Sequence, residues 1–226
     1  MRLLLSILCL FSHGIFAQNT KVLNLASYDY KQLHFGFSLG LNISDFRLTR
    51  TYPISDTVLV VETQREPGFN LGIVSNYRLS NHLDLRFIPA LSFASRSVEF
   101  TLKNVSSKVL KPVESTYIDF PFSIKYKSER LNNGRAYLMA GIKFSYDMQS
   151  QAKVKKSSTD IIKLKAFDYH AEVGFGLDYY LEYFKFSPEI KVSYGLRNML
   201  VNDNTIYSNS IEKLKSTAVL ISFTFE

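Results

Sequence analysis

The sequence predicts an all-β protein, an eight-stranded antiparallel up-and-down transmembrane β-barrel, and three observations carry that prediction. Residues 33–43, LHFGFSLGLNI, alternate without exception between apolar odd positions and small or polar even ones, the period of a strand with one greasy face and one wet face. Seven further segments repeat the alternation, and no apolar-face position in the eight is Asp, Glu, Lys or Arg. The connections between them alternate long and short, as in a barrel with long loops on one side of a membrane and tight turns on the other.

The first segment, Leu33 to Ile43, has the length of about 9 to 11 residues that a tilted strand needs to cross a bilayer. A long loop over 44–67, carrying Pro53, separates it from Phe69 to Arg78, where Phe69, Leu71, Ile73 and Tyr77 oppose Asn70, Gly72, Asn76 and Arg78. After the short link 79–82, the third segment turns Leu83, Leu85, Phe87, Leu91 and Phe93 outward and Asp84, Arg86, Ala90, Ser92 and Arg96 inward. A loop over 98–113 leads to the fourth, with Ile118, Phe120, Phe122, Ile124 and Tyr126 against Asp119, Ser123 and Lys125. Asn132, Asn133 and Gly134 are turn residues. The fifth segment sets Leu138, Ala140, Ile142, Phe144 and Tyr146 against Tyr137, Gly141, Lys143, Ser145 and Asp147. A basic loop over 149–166 precedes the sixth, 167–181, and only Glu182 and Tyr183 separate that from the seventh, which begins at Phe184. A polar loop over 198–214 leads to the eighth, with Val219, Ile221, Phe223 and Phe225 outward and Ser216, Ser222, Thr224 and Glu226 inward. Tyr77, Tyr126, Tyr179 and Phe184 gather at one rim, and Tyr146, Phe167 and Tyr169 near the other, as aromatic girdles would. Pro89, Pro121 and Pro188 each remove a ladder donor inside a segment and argue against strand there; the strands are kept, and the sequence leaves their register near the prolines open.

Met1 and Arg2 followed by the apolar run from Leu3 to Phe11 read as an export signal, cleaved after Ala17. Cys9 lies within that apolar run, behind a bulky Leu8, which sets aside a lipid-modified cysteine. Residues 1–17 are thus expected to be a signal peptide, 18–32 a polar periplasmic lead-in and 33–226 the barrel domain. The mature chain would hold no cysteine and keep a net charge of +6. Export removes nucleic acid as a partner for that basic excess and leaves anionic lipopolysaccharide or other proteins. The expected location is the outer membrane, with both termini in the periplasm.

Functional residues are sought on the wet face. Its charges are Arg86, Lys125, Lys143, Lys185 and Lys191 with Asp84, Asp119, Asp147, Glu172, Asp178 and Glu189. An eight-stranded barrel has an interior just wide enough for side chains to fill, so these charges are expected to pair across the lumen. Asp168, His170 and Glu172 share a face, and with His34 they raise a metal site or an acid-base pair. Alternate residues of one strand lie about 7 Å apart, whereas metal ligands converge at about 2 Å from one ion, so membership of the lumen network is the favoured reading. No nucleophile-elbow, zinc-protease or phosphate-loop motif occurs, and no catalytic, cofactor or metal role is assigned. Lys153, Lys155, Lys156, Lys163 and Lys165 form a basic loop, read as a solvated surface or a docking surface.

Five stretches together carry a family resemblance: HFGFSLGLN at 34–42, PGFNLGIVSNYRL at 67–79, STYIDFPFSIKYKSERLNNGRAYLMAGI at 115–142, DYHAEVGFGLDYYLEYFKFSPEIKVSYGL at 168–196 and the ending FTFE. In combination and order they resemble the PorT family of Bacteroidetes, within the small outer-membrane β-barrels of OmpA-like architecture. Ala136 stands where that family pattern expects proline after the Asn-Asn turn, and His170 where related barrels often carry glycine. The resemblance implies a non-enzymatic accessory or assembly role in the type IX secretion system, with other components of that system as partners, and in some species a part in gliding motility. A generic structural or adhesive barrel and an enzyme at the lumen rim are the alternatives.

Overall fold

In lipid every backbone N–H and C=O must find a partner inside the protein, and a sheet supplies all of them only by closing on itself. The computed structural model has this closed ring; it describes residues 22–50, 58–102, 108–150, 163–202 and 210–226. The expected signal peptide, residues 18–21 of the lead-in and Lys153, Lys155 and Lys156 lie outside the described residues. A 3-10 turn at Tyr28–Tyr30 precedes the strands β1 (Leu33–Arg50), β2 (Val58–Arg78), β3 (Leu83–Phe87), β4 (Ala90–Leu102), β5 (Lys108–Lys127), β6 (Gly134–Asp147), β7 (Phe167–Tyr180), β8 (Lys185–Gly195) and β9 (Ile211–Phe225). Neighbours in sequence pair antiparallel around the ring, and β9 returns to β1 with Phe37 opposite Phe225 and Leu41 opposite Ile221.

β3 and β4 are two halves of one stave, since both pair with β2 on one side and β5 on the other. The ring therefore has eight staves. Pro89 is the cause of the split, because it has no N–H to give to the ladder. Register nevertheless runs through: Phe87 faces Phe122 and Ala90 faces Asp119, while the Pro89 carbonyl still accepts the Ile73 N–H at 3.0 Å. Pro121 sits opposite Lys143 and Pro188 opposite Phe223 in continuous ladders, while on its other side each proline leaves a gap without a shift, from Phe87–Phe122 to Ala90–Asp119 and from Gly176–Glu189 to Tyr179–Phe186. The register that the sequence leaves open at the three prolines thus runs through them. Register shifts fall instead at Thr49/Arg50 and within β2, between Val58 and Val60 and between Arg65 and Phe69. The last shift contains Gly68, where a Cβ would lie 2.0 Å from the Phe93 carbonyl oxygen.

Outward positions form an apolar belt, exposed in the isolated chain: Phe35, Leu39, Leu41, Ile73, Leu85, Ile124, Ile142, Val173, Ile190 and Ile221 among them. Tyr77, Tyr126 and Tyr179 border it near the short turns, and Tyr146, Phe167 and Tyr169 border the opposite side. Charging such a face at mid-bilayer costs about 2 to 4 kcal/mol per Lys or Arg, which is why the belt carries none.

The loops expected at 44–67, 98–113 and 198–214 are in part strand, a second correction: β1 continues to Arg50, β2 starts at Val58, β4 runs to Leu102, β5 starts at Lys108 and β9 at Ile211. In these extensions the in-out alternation continues while its chemistry inverts. Phe46 and Leu48 now point inward, and Asp45, Arg47 and Thr49 point outward. Phe46, Val61, Val98, Leu164, Met199, Leu200, Ile211 and Leu214 pack together as a small apolar core inside the barrel mouth. The extensions have the polarity of a water-soluble sheet, so the apolar belt ends below them. Pairing of β1 with β2 also stops at Ser44 opposite Glu66, while each strand goes on with its other neighbour. Two side chains bridge the opened seam: Arg65 reaches Asp45 at 2.9 Å, and the Thr63 hydroxyl donates to the Phe46 carbonyl at 3.1 Å.

Candidate functional site

Inward positions of an eight-stave ring are too crowded to stay solvated and too charged to stay unpaired. The interior resolves this with ion pairs in tiers. Nearest the short turns, Arg86 is fully buried and donates to Glu189 at 2.9 Å and Glu226 at 3.0 Å. Lys191 holds the other oxygen of Glu189 at 2.9 Å, and Lys185 that of Glu226 at 2.9 Å. Lys125 donates to both oxygens of Asp178 at 2.8 Å and lies 3.6 Å above the Tyr137 ring, whose hydroxyl donates to Glu189. Lys127 pairs with Asp84 at 2.5 Å, and Asn76 donates to the second Asp84 oxygen.

Further along, Lys143 lies between Glu172 at 3.3 Å and Asp119 at 3.8 Å, and Ser92 and Ser145 each donate to Asp119 at 2.5 Å. Arg96 donates to the hydroxyls of Ser216 and Tyr117 and stands 4.2 Å over the Phe46 ring, joining this tier to the apolar mouth. Asp147 accepts the Gln149 backbone N–H at 2.9 Å.

Asp84, Arg86, Asp119, Lys125, Lys143, Glu172, Asp178, Lys185, Glu189 and Lys191 thus all meet oppositely charged partners inside the ring. The four residues weighed for metal or acid-base chemistry are dispersed. His170 approaches Asp168 at 3.2 Å, Glu172 turns to Lys143, and His34 sits at the short-turn end on the Tyr28 carbonyl at 2.8 Å. Among the described residues, no three His, Cys, Asp or Glu side chains converge on a common point. Of the basic loop, Lys165 donates to the Asn198 carbonyl at 2.9 Å, and Lys163 accepts the Val201 N–H through its backbone at 3.0 Å.

Three participants went unassigned in the sequence. Glu226 is a hub for Arg86, Lys185 and Tyr28; its even, inward position next to Ser222 and Thr224 is the signal that could have found it. Lys127 extends the inward row of Lys125 in the same way. The third is the lead-in itself, read as a polar approach to the first strand but folded across the short-turn mouth. Tyr28 stacks on His34 with centroids 4.0 Å apart and donates to Glu226 at 2.9 Å. Asp29 takes the Tyr180 hydroxyl at 2.9 Å, Arg135 at 3.2 Å and Arg130 at 3.3 Å. Burial alone would raise the Asp29 carboxyl, but Arg135, Tyr180 and Arg130 outweigh it and hold the group below the usual aspartate range. Burial, with Glu226 beside it, pushes the Tyr28 hydroxyl well above its ordinary value.

Spaces among the described lumen residues include three of about 40, 30 and 10 Å³. A cavity needs about 10 to 15 Å³ to hold one water, so these admit a few waters. Among the described residues an apolar core packs inside one mouth, the lead-in lies across the other, and ion pairs occupy the length between them.

No curated protein matches the chain. Among solved structures it is similar to the outer membrane protein OprG of Pseudomonas aeruginosa, at 11% identity and a TM-score of 0.50, covering 86% of this chain and 93% of that one. It is also similar to Neisserial surface protein A, at 12% identity and a TM-score of 0.45 over 86% and 98% of the two chains. AlkL, an outer membrane protein solved in lipid bilayers, matches at 13% identity and a TM-score of 0.42 over 95% and 97%. Residues 16–201 match the family described as outer membrane protein beta-barrel domain. A closed ring of strands with an apolar outward belt fits that description, and the chain belongs to the outer membrane protein beta-barrel domain family, with the outer membrane as its location.

Proposed function

We propose that this barrel is a PorT-type, non-enzymatic accessory or assembly component of the type IX secretion system. On this reading residues 1–17 are removed on export, both ends of the barrel domain 33–226 face the periplasm, and the strand extensions with the basic loop face the cell surface. The observation that carries the proposal is the filled lumen. A barrel whose interior is ion-paired along its length, with an apolar core inside one mouth and the lead-in across the other, offers no path for folded cargo, so it acts through its ends on other proteins. The stretches at 34–42, 67–79, 115–142 and 168–196 supply the link to type IX secretion. Lipopolysaccharide around the basic outer rim and other components of the secretion system are the partners.

Deleting the gene tests the role. Loss of cargo secretion, with the remaining outer membrane proteins at normal levels, is the expected result. Normal secretion would remove the type IX role and return the protein to a structural or adhesive barrel. Orientation is tested separately with single cysteines: Lys155→Cys should label on intact cells and Asn133→Cys should not, and the reverse pattern would invert the topology.

A further inference from the structure

Residues 22–31 lie across the short-turn mouth, held almost entirely by polar contacts. The Asn24 backbone N–H donates to the Asn133 side chain at 2.9 Å, and its side-chain amide donates to the Tyr180 carbonyl at 3.0 Å. Asn133 in turn donates to the Val22 carbonyl, and Arg130 to the Asn24 carbonyl. Tyr28 and Asp29 are only half-buried, and Val22 and Tyr30 are 85% and 80% exposed. Segments with few buried apolar contacts open without global unfolding. The ring does not depend on this one, since its strand pairings all lie within 33–225.

The surface beneath is built for a particular occupant. Arg130, Arg135 and the Tyr180 hydroxyl converge on one carboxylate, now that of Asp29. Beside them His34 stacks on one aromatic ring, now that of Tyr28, with the Lys185 ammonium 4.7 Å from its centroid. Lys127 and Lys185 are matched there by Asp84 and Glu226, so Arg130 and Arg135 supply the positive charge of the seat. This surface receives a tyrosine followed by an aspartate, presented together by the 3-10 turn at Tyr28–Tyr30.

We propose that residues 22–31 are a detachable strap occupying a peptide-binding seat, and that a Tyr-Asp turn of a periplasmic partner takes the strap's place there. The proposal deepens the function proposed above, whose orientation it adopts, by naming the surface through which the short-turn end acts. A seat blocked by its own strap binds with an affinity reduced by the fraction of time it is open.

The test uses a fluorescein-labelled peptide with the sequence of residues 24–32, NLASYDYKQ, and the purified full-chain protein in detergent, read by fluorescence anisotropy. The Y28A/D29N double variant, with its strap loosened, should bind the peptide at least about tenfold tighter than the unaltered protein. Replacing the peptide's aspartate by asparagine, or adding Arg135→Ala to the loosened variant, should weaken binding by about tenfold or more. Equal binding by the loosened and unaltered proteins, or equal binding of a scrambled peptide, would overturn the proposal. If the double variant does not fold, as judged by heat-modifiable gel mobility, hydrogen exchange on the unaltered protein decides. Amides of 24–31 exchanging at least about a hundredfold faster than those of 33–43 support a strap that opens alone; equal protection overturns it. Because these measurements need no secretion machinery, a deletion strain that secretes normally would end the type IX reading and leave the seat unaffected.

Discussion

Replacing Arg86 by alanine removes the cation that joins two strands of the far wall. Its guanidinium bonds Glu189 on β8 at 2.9 Å and Glu226 beyond β9 at 3.0 Å, and all three side chains are fully buried. Removing one member of a buried ion pair costs about 3 to 5 kcal/mol, because the partner charge is left without compensation. Here each carboxylate keeps a lysine, Glu189 through Lys191 and Glu226 through Lys185, both at 2.9 Å. The expected loss is therefore at the low end, about 3 kcal/mol, or roughly a hundredfold in the folded-to-unfolded ratio. Arg65→Ala is the matched control: Arg65 pairs with Asp45 at the same 2.9 Å but is 74% exposed, and surface pairs are worth about 0 to 1 kcal/mol. Urea unfolding in lipid vesicles, followed by heat-modifiable gel mobility, measures both. If Arg86→Ala and Arg65→Ala shift stability equally, the lumen charges are solvated, and the filled-barrel account fails.

Two further perturbations probe the belt and the strap. Leu39→Lys places a charge on the outward face of β1, so it should cost about 2 to 4 kcal/mol in lipid, whereas the inward Ser38→Ala should cost less than 1.5 kcal/mol, about the worth of one hydrogen bond; equal costs would mean that the belt is misplaced. Asp29 has its folded pKa held below the unfolded value, so its contribution to the strap is complete above about pH 3.9 and disappears as the pH falls through the lowered folded value. A spin label on Ser27→Cys should gain mobility on acidification below pH 4, and Asp29→Asn should be mobile at every pH; mobility that rises only towards alkaline pH would contradict the assignment.

The apolar belt and the inward charges were legible in the sequence because lipid imposes one rule on every outward position of 33–43, 118–126 and 138–146. The strand extensions were not, because Phe46, Val61 and Val98 keep the strand period while exchanging which face is apolar. A reading that equates apolar with outward loses the strand at that exchange. Pro89 was legible as a disturbance, but the sequence left its effect on register open: a missing N–H interrupts one stave without moving its neighbours, since the residues on either side stay locked to β2 and β5. Among the lumen charges, membership was readable from parity alone, but partnership was not. Arg86 and Glu226 are 140 residues apart in sequence and meet only because the ring closes. The role of Tyr28 and Asp29 had no periodic signal at all, because a strap that crosses a mouth belongs to no strand.

The filled lumen is the claim on which the proposed role stands, and single-channel recording on the purified protein in planar bilayers tests it most directly. With ion pairs from Arg86 to Lys143 spanning the interior and spaces of about 40, 30 and 10 Å³ among its described residues, the account predicts no stable conductance at either polarity. Steady porin-like openings in the unaltered protein would contradict it and make the barrel itself a path for solutes.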